Sequence, residues 1–132
     1  MTRTLVALAA TATALSAAVA RPAPPPDGRA LFQTHCAVCH GPTARGDGPW
    51  AALLAYRPPD LTRLGARSRS DFPEERVREI IDGRRRVKGH MPAEMPVWGD
   101  VLRTSEVGYS EKAVRDRIAA LTEYLRTLQT EK

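Results

Sequence analysis

The run Cys36-Ala37-Val38-Cys39-His40 constrains this chain more than any other feature, because it places two thiols and an imidazole within five residues. Two cysteines three positions apart on a turn of helix present their sulfurs to one face, where both can add to the vinyl groups on one edge of a porphyrin. The histidine after them can bind the iron from beneath the ring. C-x-x-C-H is the attachment signature of a covalently bound haem. The chain has 2 cysteines in all, so the motif leaves none for a disulfide framework or a four-cysteine metal site. A thioredoxin-like dithiol and a zinc site are the competing readings. The first calls for a βαβ pattern with strand-like runs, which this sequence does not offer. The second needs about four ligands, so His35 or His90 would have to join Cys36, Cys39 and His40, and the adjacency of Cys39 and His40 makes that geometry awkward.

Residues 1–20 carry a single charge, Arg3, then an Ala/Leu/Val run broken only by Thr and Ser, and end in Ala18-Val19-Ala20. That pattern predicts a secretory signal peptide cleaved near Ala20. Its apolar run is about fifteen residues, short of the ~20 that a membrane span needs. The expectation is a soluble, exported, periplasmic protein, with an uncleaved N-terminal anchor as the alternative. Residues 21–26, Arg-Pro-Ala-Pro-Pro-Pro, read as a polyproline tether, and residues 27–130 as one small domain. With 5% aromatic residues and no disulfide, such a domain has a thin core. A buried porphyrin would supply the missing apolar surface, so the chain without it is expected to fold poorly.

Local signals predict a mainly helical fold. Asp27 is a good N-cap for a first helix running to Cys36 through Ala30, Leu31 and Phe32. Gly41-Pro42-Thr43-Ala44-Arg45-Gly46-Asp47-Gly48 is turn chemistry. It lacks the Gly-Lys-Ser/Thr ending of a phosphate loop, so it reads as a tight loop wrapping a prosthetic group. Pro49 suits the start of a short helix over Trp50 to Ala55. Asp71 with Glu74 predicts a capped third helix with Val77, Ile80 and Ile81 on its apolar face and Gly83 as its C-cap. The best-marked helix is the last: Ser110 caps it, and Val114, Ile118, Leu121, Leu125 and Leu128 form one stripe. Leu31 and Phe32 are the natural partners of that stripe.

With these residues in place, the chain from Asp27 to Leu128 resembles a class I, monohaem, bacterial-type cytochrome c. The resemblance implies an all-α fold in which crossed N- and C-terminal helices and short helices wrap one covalent haem c, with a methionine loop between them. Gly28 and Phe32 match the family's N-terminal helix contact positions and Tyr124 its C-terminal aromatic. Pro59-Asp60-Leu61 is similar to the family's Pro-x-Leu segment. This implies that the Pro59 carbonyl accepts a hydrogen bond from the His40 ring and that Leu61 packs on the porphyrin.

For the sixth ligand, residues 89–99 offer His90, Met91 and Met95. Met95-Pro96-Val97-Trp98-Gly99 looks most like the family's methionine loop and makes Met95 the choice. Met91-Pro92 is followed by Ala93 and Glu94, a poor wall for an apolar pocket, and His90 would give bis-histidine ligation. Trp50 and Trp98 are candidates for the haem edge, with ordinary packing as the alternative.

Iron held by His40 and Met95 leaves no open position for a substrate, and no acid–base constellation appears elsewhere. The expected function is therefore one-electron transfer between ferric and ferrous states, not catalysis. A haem subunit of a periplasmic dehydrogenase complex and a haem-based gas sensor are the alternatives. A dihaem peroxidase is disfavoured by the single C-x-x-C-H. Loss of residues 1–20 removes only Arg3 from the basic residues, leaving 19 Lys and Arg against 15 Asp and Glu, a side-chain charge of +4. That excess predicts redox partners with an acidic docking surface. Arg84, Arg85, Arg86 and Lys88 either ring the haem edge or simply succeed a helix end. No nucleic-acid partner is expected, and membrane contact only through partner complexes or an uncleaved anchor.

Overall fold

The computed structural model describes residues 24–68, 71–85, 87, 96–104 and 110–130. His90, Met91, Met95, Arg86 and Lys88 lie outside these, as do residues 1–23, which hold the expected signal peptide and the start of the expected tether. Among the described residues, six helices run in chain order: α1 (Gly28–His35), α2 (Ala37–His40), α3 (Leu64–Arg67), α4 (Glu74–Asp82), α5 (Trp98–Thr104) and α6 (Glu111–Thr127). Two 3₁₀ turns, Ala51–Leu53 and Leu61–Arg63, lie between α2 and α3. Among the described residues there is no strand, and no helix is long and apolar enough to cross a membrane.

The long helices α1 and α6 begin at the caps their residue types dictate. The Asp27 carboxylate accepts hydrogen bonds from the Arg29 and Ala30 amides at 2.9 and 3.2 Å, satisfying two of the donors a helix start leaves open. Ser110 Oγ does the same for the Ala113 amide at 3.0 Å. Val114, Ile118, Leu121 and Leu125 of α6 are buried, each worth about 1.5–3 kcal/mol relative to exposure. Thr122 lies among them, its hydroxyl satisfied by the Ile118 carbonyl one turn back, at 2.8 Å.

Helix α1 crosses α6 at Gly28. A Cβ there would lie 2.6 Å from the Ala120 carbonyl carbon and 3.0 Å from Tyr124 Cβ, so only hydrogen lets the backbones approach this closely. One turn on, buried Phe32 meets Tyr124 with ring centroids 5.5 Å apart and planes tilted by 51°. Replacing Gly28 with valine forces the helices apart. Overpacking of this kind costs about 1–3 kcal/mol, and thermal unfolding of the Gly28→Val holo-protein should show that loss, several degrees in Tm.

Helices α4 and α5 pack on α6 and on each other. Val77 and Ile81 of α4 and Leu102 of α5 complete the core. Gly83 caps α4 in the left-handed conformation, φ 81°, as expected. The start of α4 differs from the capping-box expectation. Pro73, not Asp71, holds the N-cap, and no side chain caps the helix. A proline disfavours helical geometry in the residue before it, so the helix cannot begin until after Phe72-Pro73. The expected helix over Trp50 to Ala55 is reduced to the 3₁₀ turn Ala51–Leu53.

Candidate functional site

Cys36 is the hinge of the Cys36–His40 run. It ends α1, with its amide on the Phe32 carbonyl at 2.8 Å, and serves as N-cap of the four-residue α2. Its own carbonyl accepts from the Cys39 and His40 amides at 3.1 and 2.9 Å, so both cysteines and the histidine share one turn.

The glycine loop completes that turn. A helix this short leaves its last carbonyls unsatisfied, and residues 41–50 turn back to meet each of them. Gly41 N donates to Ala37 O at 2.8 Å, Trp50 N to Val38 O at 3.0 Å, Gly48 N to Cys39 O at 3.3 Å and Gly46 N to His40 O at 2.8 Å. The loop is thus the backbone complement of the motif, with no phosphate-binding role needed to explain its glycines.

The loop also carries the next segment. Leu61 N donates to Ala44 O at 2.7 Å. Gly46, at φ 76°, lies against the Pro58–Pro59 peptide, where a Cβ would be 3.0 Å from Pro58 C and 3.2 Å from Pro59 C. Asp60 caps the 3₁₀ turn beyond it, accepting from the Thr62 hydroxyl at 2.6 Å and the Thr62 amide at 2.9 Å. The Thr62 hydroxyl is the main cause that holds this carboxyl below its ordinary range, with Arg45 and Arg67 adding to it. Leu61 is partly buried against the core, while Pro59 is exposed.

His40 is 7% exposed. Its Nδ1 is buried. The Pro58–Pro59 peptide lies against Gly46.

Burial pushes the Cys36 thiol up to about 12, with repulsion from Cys39 adding to it, and burial raises Cys39 as well. A redox dithiol needs the opposite, a depressed thiol. Among the described residues no group of three or more His, Cys, Asp or Glu side chains is placed to hold a metal ion, which argues against a zinc site built with His35. His35 instead meets Trp98 at the start of α5, ring centroids 5.2 Å apart.

These residues fit a haem. Thiols and imidazole share one turn, and the segment hydrogen-bonded to α2 carries Trp50, Leu53 and Tyr56 at 56%, 79% and 54% exposure, apolar surface that a porphyrin can cover. A shallow depression of about 480 Å³, lined by Arg29, Thr43, Arg45 and Tyr124 among others, contains none of the motif residues.

A family model for cytochrome c matches residues 26–129. The chain belongs to the cytochrome c family. It is of the class I type, all-α, and the family implies covalently bound haem c and electron transfer. No curated protein and no solved structure matches the cytochrome. Three parts of it escape a reading of the sequence. The turn Leu61–Arg63 with α3 is one and α5 another, both too short to show a periodic pattern. The third is Gln129, whose side chain reaches Leu61 and Gly65 from the far end of the chain.

Of the basic run, Arg84 and Arg85 are paired with Asp82 and Glu79 at 2.5 and 2.7 Å. They therefore act first on the end of their own helix.

Proposed function

We propose that this cytochrome is a soluble, exported carrier of one electron at a time, holding one haem through thioethers to Cys36 and Cys39, with His40 and Met95 as axial ligands. The observation that carries the reading is the shared turn of Cys36, Cys39 and buried His40, closed by the glycine loop. When bound, haem iron supplies a one-electron couple whose potential is raised by His/Met ligation. The protein's part is to hold the imidazole, to exclude water with Leu61 and the apolar residues of segment 50–56, and to present a haem edge to its partner. Residues 1–20 fit export to an oxidising periplasm, where both cysteines must be kept reduced for attachment.

Redox titration of the purified protein, followed optically, tests the reading. A single one-electron wave with the ferric band of methionine–iron bonding is expected; two waves, or binding of CO without displacement of a ligand, would overturn it.

The same reading has docking steered by charge. The excess of +4 favours an acidic partner surface, and small redox interfaces bury little area. Because Arg84 and Arg85 are paired locally, their replacement by Gln should slow electron transfer less than replacement of the whole run Arg84, Arg85, Arg86 and Lys88. Both effects should shrink as salt shortens the Debye length to about 10 Å at 0.1 M. A rate indifferent to ionic strength would contradict steering.

A further inference from the structure

Gln129 stands just beyond α6, yet its carboxamide is built into the segment after Pro59. Its Oε1 accepts from the Gly65 amide at 2.9 Å, and its Nε2 donates to the Leu61 carbonyl at 2.9 Å and the Leu125 carbonyl at 2.7 Å. Leu61 O and Gly65 N are the two groups that an α-helix would join directly, four residues apart. The amide stands between them. A side chain inserted into the ladder interrupts the helix, and the backbone is interrupted there: Leu61–Arg63 is a 3₁₀ turn and α-helix begins only at Leu64. Thr130 adds a second tie, with its amide on the Thr62 carbonyl at 2.9 Å and its hydroxyl on the same oxygen at 3.2 Å.

We infer that Gln129 is a positioning residue for the haem wall: its amide, spliced into the Leu61–Gly65 backbone, fixes where Leu61 stands and thereby sets the water access and reduction potential of the iron. This rests on reading Leu61 as a haem contact. Leu61 is held from two sides, by Ala44 O at its amide and by Gln129 Nε2 at its carbonyl. Without the amide, Gly65 N and Leu61 O close on each other or on water, the 3₁₀ turn relaxes, and Leu61 swings with it. Water admitted beside the porphyrin favours the more highly charged ferric state, so the potential falls.

The experiment compares midpoint potentials of the holo-protein and of Gln129→Met, Gln129→Glu and Leu61→Ala. Gln129→Met keeps length without donors or acceptors and should lower the potential. Gln129→Glu sets a carboxylate against two carbonyl oxygens and should lower it further. Leu61→Ala should shift it in the same direction, and the Gln129→Met/Leu61→Ala pair should fall short of the sum of the singles. If Leu61→Ala leaves the potential unchanged, Leu61 is no haem wall and the underlying reading fails. If Leu61→Ala shifts it while Gln129→Met lowers only the melting temperature, the positioning role is overturned. Should Gln129→Glu fail to accumulate, Gln129→Met alone decides.

Discussion

Replacing Cys36 and Cys39 together with alanine abolishes covalent haem: on a denaturing gel stained for haem peroxidase activity, the variant gives no signal where the parent keeps its signal after boiling and acid-acetone extraction. The expectation rests on composition and geometry together. No other thiol exists in the chain to take over the attachment, and both cysteines sit on one turn at the end of α1. A second consequence is structural. Trp50, Leu53 and Tyr56 stand exposed, and a core of ten buried apolar residues among those described is small for a domain of this length. Without the porphyrin to cover that surface, the double variant should lose cooperative thermal unfolding. Stain retained by the double variant would mean that the haem is held in another way.

Met95→Ala is the second large effect. It should remove the methionine–iron band and lower the potential by on the order of a tenth or more of the ~0.8 V range that axial ligands span, while Met91→Ala changes neither. The difference lies in the residues on the C-terminal side of each methionine. After Met95 the chain enters α5 at Trp98, whose ring meets His35, the residue next to Cys36. Val97 fills the space over Gly83, where a Cβ would be 3.3 Å from Val97 Cβ. The exit of the Met95 segment is therefore fastened to both the attachment motif and the end of α4. Optical spectra and redox titration of the two variants decide. The opposite pattern would assign Met91, and loss of neither would point to His90.

Much of this fold was legible because its long helices carry their own punctuation. Asp27, Ser110 and Gly83 cap as their residue types require, and the α6 stripe from Val114 to Leu125 is buried as its period demands. Asp71 misled because a cap is recognised by spacing alone, whereas Pro73 and its effect on Phe72 decide where the backbone can turn helical. Helix α5 was hidden inside what looks like the end of a loop. Its seven residues bury Leu102 fully, and Arg117 of α6 fastens it by donating to the Leu102 carbonyl at 2.8 Å. Neither contact leaves a periodic trace. That Cys36, Cys39 and His40 share one turn was legible because their spacing is local. The support around it was not: the loop's hydrogen bonds to α2 are backbone to backbone, and the Gln129 tie spans 68 residues. Nothing in a lone glutamine after a helix signals that its amide will enter another segment.

The most direct test of the central claim, one haem held covalently by this motif, is the intact mass of the purified protein, measured after denaturation. One haem held by two thioethers predicts a chain whose mass exceeds the polypeptide by a single haem, with both cysteines protected from alkylation. A bare polypeptide mass with two alkylated cysteines would contradict it.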